Sequence, residues 1–362
     1  MNNLPAYVGK LFGLLGGNCA VGMSNEEWSA ALTFADRTQL TLHLEGVLSE
    51  RRPDWVAAEL AARFAKNEER NRRLRTMYEE IAHEFQKVGV EFVLLKGFTH
   101  AALFDIPLRR RVQYDLDFLC LPEDSQRALQ ALRRLGYVQH TTCSLSDQHL
   151  PPLVRPATYR WRNDYFDPDL PVAIELHTKV WGSNHDRFDL DDGRGFWARR
   201  TKIAVDGLTI PAFDERDRFV FAAVHALRHI VRSDAKPAHV FEIGRGLRPR
   251  AGCSGNLLQL AALYFANRWF GAPLPHDFCL PAATQAWFDA YTWAPIANLF
   301  APNKDAVWLH MALLPSAWDR VRVLQQRAAR VRHHWRTVAP AMWSGMRWWR
   351  RAASMRASHT SA

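Results

Sequence analysis

Asp115 and Asp117 stand two residues apart in a run, Asp115 to Leu121, that is otherwise apolar and strand-like. Alternate residues of a strand point the same way, so this spacing puts both carboxylates on one face. Two close carboxylates repel unless a proton or a cation lies between them, and an oxygen-ligated Mg²⁺ is the natural occupant. Upstream, Phe92 to Gly97 is a β-prone run that ends in Lys96 and Gly97. A cationic side chain beside a glycine at a strand end is a seat for phosphate, so the pair of runs suggests a metal and a phosphate together. The plainer reading of the aspartates is an edge strand with a solvated polar face. Two further Asp-x-Asp pairs, Asp167/Asp169 and Asp189/Asp191, lie in turn-prone surroundings with Pro168 or Gly193 nearby and read as loop residues.

The elements that must position these residues follow from periodicity and breakers. Residues 24 to 89 read as helices, with a start signal at Ser24 to Glu27 and apolar residues at three-to-four spacing from Leu60 to Phe85. Strands are expected at 90–95, 115–121 and 172–177, the last carrying Glu175 and His177. Between them lie a short helix at 99–104 and an amphipathic helix at 124–135 that Gly136 stops. Residues 140–170 are Pro-rich and irregular, with 157–162 a candidate strand. Alternating strands and helices describe a small mixed α/β unit over 86–182. It would follow an N-terminal helical segment, 1–85, and precede a region, 183–319, read as all-helical from patterns at 214–232, 240–247 and 257–270.

Charge is uneven. Residues 320–362 hold ten arginines, no lysine and no carboxylate. Removing those ten from the 47 basic residues leaves 37 against 37 acidic ones, so the formal net charge of +10 belongs entirely to this tail. Its arginines alternate with Trp335, Trp343, Trp348 and Trp349, which suits an anionic membrane surface or an acidic partner, less so nucleic acid. The alternative is a last helix docked by its apolar side and followed by a basic end. The five cysteines are scattered without metal-ligand or redox spacing, which points to reduced thiols and a cytoplasmic protein, with peripheral membrane association left open by the tail. Leu11 to Met23 faintly resembles an export signal but lacks the basic start and small-residue cleavage pattern. No run is long enough to span a bilayer.

Taken in order, these features resemble an uncharacterised bacterial nucleotidyltransferase family of the polymerase-β-like superfamily. The resemblance rests on Leu94 to Gly97, Arg111 four residues before Asp115, the Leu135-Gly136-Tyr137 turn, and Glu175 with His177. It continues through Phe221 to His229, Phe241 to Leu247 and Phe270 to Pro275, and so covers roughly 60–320. It implies an α+β fold with a small mixed-sheet core, N-terminal helices and a larger helical region. The implied reaction moves a nucleoside monophosphate from an NTP to an acceptor hydroxyl on a small molecule, peptide or protein, with pyrophosphate leaving. Asp115, Asp117 and Glu175 would hold Mg²⁺ or Mn²⁺. Lys96, Gly97 and Thr99 would hold phosphate, Arg111 would brace the triphosphate or pair with the aspartates, and Glu175 would also help deprotonate the acceptor. His177, on the same strand face, would either orient Glu175 or bond a backbone carbonyl. The sequence departs from the superfamily after Gly97, where the bulky Phe98 replaces the usual Gly or Ser. Two further readings stay open: a non-catalytic nucleotide- or partner-binding descendant of the fold, and an adaptor acting through its basic tail. His225 and His229, four apart on an expected helix, have a chelating spacing but no evident third ligand, and are read as helix packing.

Overall fold

Ser24 opens its helix with a reciprocal capping box. Its hydroxyl accepts from the Glu27 N–H at 3.2 Å, and the Glu27 carboxylate accepts from the Ser24 N–H at 2.9 Å. The chain is described by a computed structural model over residues 4–17, 22–46, 52–139, 148–182, 186–188, 193–246, 256–300, 306–314 and 316–331. Before Ser24 lies α1 (Ala6–Leu15), whose Leu11, Phe12, Leu14 and Leu15 are buried in the core of the helical half. After it come α2 (Asn25–Thr38) and α3 (Asp54–Lys87), a helix of 34 residues. Leu74, Tyr78, Ile81 and Phe85 of α3 recur at three-to-four spacing and pack on the sheet, whereas Val56 and Leu60 belong to the helical core. One helix therefore spans both cores.

The α/β unit is a five-stranded mixed sheet formed by β1 (Phe92–Leu94), β2 (Asp115–Cys120), β3 (Val138–Gln139), β4 (Leu153–Val154) and β5 (Ala173–His177), in the order β1-β2-β5-β4-β3. β2 runs antiparallel to β1 and parallel to β5. Strand alternation sorts the side chains: Phe92, Leu94, Leu116, Phe118, Cys120, Ile174 and Leu176 face one core with α3. On the other face Val93, Leu95 and Leu119 join a separate apolar cluster with Phe213 and Phe221, next to the carboxylates. α4 (Phe98–Phe104) and α5 (Ser125–Arg134) supply the connections. The candidate strand at 157–162 pairs with nothing, and β4 forms at Leu153–Val154 instead. Residues 157–162 lack a buried face, with Trp161 44 % exposed, so there is no apolar gain to hold them on a ladder.

The second half is helical, with one exception. After α6 (Gly193–Ala198), β6 (Thr201–Val205) and β7 (Leu208–Ala212) form an antiparallel hairpin where the sequence reading expects only helices. Asp206 and Gly207 turn it with φ of 48° and 80°, the conformation an Asp-Gly pair adopts in tight hairpins. Val205, Leu208 and Ile210 bury against the sheet core. Then come α7 (Glu215–Val231), α8 (Pro237–Arg245), α9 (Leu257–Phe270), α10 (Ala282–Tyr291), α11 (Ala294–Ala297), α12 (Ala306–Leu313) and α13 (Ala317–Val331). α7, α8 and α9 occupy the three segments expected to be helical. α13 docks through Val323, fully buried, while Trp318, Val321 and Leu324 of the same helix stay exposed. The tail from 332 onward, with its Arg–Trp pattern, lies outside the described residues. No described helix is long and apolar enough to cross a membrane.

Candidate active site

The turn after β1 is built around a glycine. Gly97 has φ of 64° and ψ of −113° and caps α4, a conformation that L side chains avoid. A Cβ there would lie 2.3 Å from Nε2 of Gln113, whose amide donates to the Asp115 carbonyl at 2.8 Å. Phe98 does not crowd this turn. Its ring is buried in the sheet core, 6.1 Å from Tyr78, on the side away from the carboxylates. Thr99 is not at the turn's open side either. It is fully buried, and its hydroxyl donates to the carbonyls of Leu95 and Lys96 at 3.1 and 3.3 Å, tying the start of α4 to the end of β1 rather than facing the cavity.

Beside the turn, β2 and β5 set the carboxylates in register, with Asp117 directly opposite Glu175 and Leu119 opposite His177. Lys96 Nζ lies 2.7 Å from Asp117 Oδ1 and 3.8 Å from Asp115 Oδ2. His177 Nε2 lies 3.1 Å from Asp117 Oδ1 and 3.4 Å from Glu175 Oε2, so a single N–H is shared between two carboxylates. Asp117, Glu175 and His177 bring one donor atom each within 4.8 Å of one another, a grouping that could hold a metal ion. Asp115 sits at the rim of this group with its side chain 37 % exposed. Asp117 Oδ2 is buried and meets no hydrogen-bond donor among the described residues.

The electrostatics follow from crowding. Desolvation and the Asp117 charge raise the Asp115 pKa. Burial also works against ionisation of Glu175, yet the hydrogen bond from His177 and the Lys96 ammonium bring its pKa down to about 2. Burial opposes a charge on His177, but its bonds to Asp117 and Glu175 raise its pKa. Lys96 is likewise raised against desolvation by Asp117, Asp115 and Glu175, and it stays protonated.

Lys96, Asp115, Glu175 and His177 line a cavity of about 310 Å³ between the sheet and the helical half, with Asp117 buried behind them. Across it stand His225, Arg228 and His229 of α7, Arg232, Asp234 and Lys236 between the helices, and His239 of α8, so three cations and one carboxylate leave this wall net basic opposite the carboxylates. Arg111 reaches the cavity but pairs with neither aspartate. Its Nε bonds Glu242 of α8 at 2.9 Å and its NH1 donates to the Gly97 carbonyl at 3.3 Å, so it braces the glycine turn against the helical half. Lys96, Gly97, Asp115, Asp117, Glu175 and His177 are thus brought together, Arg111 stands behind them, and Thr99 is excluded. Gln113, Glu242 and His239 went unread in the sequence. Glu242 lay inside a helical segment with nothing to mark it, while a third histidine ten residues after His229 was a visible signal.

Comparison with curated proteins and with solved structures gives no match. A family model described as "Uncharacterised nucleotidyltransferase" matches residues 24–266, a span that contains every cavity residue named above. That span is well over half of the chain, and the protein belongs to this nucleotidyltransferase family.

Proposed function

We propose that the protein transfers a nucleoside monophosphate from an NTP to an acceptor hydroxyl, dependent on Mg²⁺ or Mn²⁺, with release of pyrophosphate. The observation that carries this reading is the Asp117–Glu175 register pair, with Asp115 one strand repeat away, in a cleft whose far wall is basic. The buried Asp117 Oδ2, without a donor among the described residues, together with the burial and the Asp117 charge that raise Asp115, fits a hard divalent cation held by Asp115, Asp117 and Glu175. Bound there, such a cation would neutralise triphosphate charge and stabilise the attacking and leaving oxygens.

The chain's own residues divide the remaining work. Glu175 stays ionised at any neutral pH, as a ligand must, and so low a pKa makes it a poor proton acceptor. Asp115 is a stronger base than Glu175. Lys96 and the Gly97 turn offer a charge and a backbone to phosphate oxygens, and the basic wall attracts the triphosphate. As the acceptor oxygen bonds to the α-phosphorus its proton passes to Asp115, the bond from that phosphorus to the α–β bridging oxygen breaks, and pyrophosphate leaves with the electron pair.

The test is an NTP panel with Mg²⁺ or Mn²⁺, with and without cell extract as acceptor source, read by pyrophosphate release and label transfer. Label should appear with wild type and vanish in Asp115→Asn/Asp117→Asn. Transfer that survives the double change overturns the assignment of these carboxylates. The Lys96–Asp117 contact, which already places a cation on the buried carboxylate, favours a second reading: a protein that binds NTP without turning it over. NTP binding with no pyrophosphate under any condition would select it.

A further inference from the structure

Three imidazoles converge on the helical wall of the cleft. His225 and His229 lie one turn apart on α7, and His239 comes from the start of α8. Their ring centroids are 4.8, 4.9 and 5.4 Å apart, and one ring nitrogen of each lies within 4.8 Å of the other two. The short connection between the helices makes the meeting possible. Ser233 takes a left-handed φ of 64° straight after α7, and Pro237 restarts the helix three residues on from Asp234. The histidine spacing on α7 was readable as a helix-packing pair, and the fold supplies the ligand that the pair lacked.

The rings are in a state that favours ligation. His229 Nδ1 lies 3.0 Å from Asp234 Oδ2, a contact that fixes the ring and turns Nε2 away from the carboxylate. This is the arrangement in which a carboxylate orients a metal-binding imidazole from behind. His239 Nδ1 is buried and has no hydrogen-bond partner among the described residues, whereas most buried polar atoms have one.

We propose that His225, His229 and His239 form a second metal site that binds a borderline transition-metal ion such as Zn²⁺, with one coordination position open to the cleft. Nitrogen donors select such ions over Mg²⁺, which prefers oxygen. Three protein ligands and an open position are the pattern of zinc sites that bind substrate rather than structural ones. Metal–nitrogen bonds of about 2.0–2.1 Å put ligand nitrogens ~3.3 Å apart, so the rings need only small side-chain rotations to close on an ion. The open position would take an oxygen or nitrogen of the acceptor, facing the nucleotide across the cleft. That last role rests on the nucleotidyl-transfer reading, while the metal site itself does not.

The test uses tag-free full-length protein stripped with chelator, held in excess Mg²⁺ to occupy the oxygen ligands, and titrated with Co²⁺. One equivalent should bind with the visible absorption of a four- or five-coordinate site and be displaced by Zn²⁺. His225→Gln and His239→Ala should each abolish the absorption, and Asp234→Asn should weaken binding ~10-fold through loss of the orienting carboxylate. Glu175→Gln should leave it unchanged. Near-UV circular dichroism checks folding, and the near-isosteric His225→Gln carries the test if His239→Ala unfolds. Absence of Co²⁺ absorption overturns the proposal. So does absorption lost in Glu175→Gln but kept in the histidine variants, which would move the metal to the Asp117, Glu175 and His177 group. Because the readout is spectroscopic, an inactive enzyme would not sink this site, nor would a missing site sink the transferase reading.

Discussion

Asp117 is the residue on which most contacts of the site meet, since it touches Lys96 and His177 and stands in register with Glu175. Replacing it with Asn removes a charge without changing shape. Asp117→Asn should therefore lower transfer by ~10³-fold, the scale seen when a stabiliser of developing charge is removed, measured as pyrophosphate release at saturating Mg²⁺. The glycine next to Lys96 offers a separate test. Gly97→Ala forces a side chain into a backbone region that it avoids and against Gln113, and should destabilise the fold by about 1–3 kcal/mol in urea unfolding. Both residues were legible in the sequence, because strand alternation and the glycine punctuation are local rules. Thr99 is turned away from the cavity for an equally local reason: in the first turn of a helix, a threonine hydroxyl bonds the carbonyls of the preceding turn.

At the scale of elements, most helices and the three principal strands fall where periodicity places them. The hairpin β6–β7 does not, although Asp206-Gly207 between two short apolar runs is a strong hairpin signal. α13 shows how one buried imidazole holds an element. His310 of α12 donates Nε2–H to the Asp186 carbonyl at 2.6 Å, and its Nδ1 lies 3.1 Å from Arg327 of α13 as an acceptor. Burial and then the Arg327 charge lower its pKa to about 4. An unfolded histidine takes its proton near pH 6.5, whereas the folded one resists until about 4, so acidification through that window favours the unfolded chain. The His310 contribution should be fully present above pH 6.5 and fall by about 1.4 kcal/mol per pH unit below it. Other buried histidines titrate in the same window, so in urea unfolding as a function of pH the wild-type slope should exceed that of His310→Gln by this amount.

The whole molecule is held across its cleft by Arg111 and Glu242, a buried pair that joins the sheet side to α8. Removing one partner strands the other charge away from water, so Glu242→Ala should cost about 3–5 kcal/mol. Arg111→Met/Glu242→Met should recover much of that loss, because no buried charge is left unpaired; thermal and urea unfolding of the three proteins decide it. A loss in Glu242→Ala no larger than in the double variant would show that the pair does not bind the halves. α3 adds a covalent connection between the same halves, running from the helical core to the sheet core.

The sequence by itself determined the family, the strand faces that carry Asp115, Asp117, Glu175 and His177, and the position of the glycine turn. Each depends on residues a few places apart, where alternation and turn chemistry act directly. Only the tertiary structure decided that Arg111 would meet Glu242, 131 residues away, and that His239 would complete the pair on α7. Those meetings depend on how α7 and α8 dock across the cleft. That docking is set by the summed burial of many apolar side chains, and no short stretch of chain encodes it.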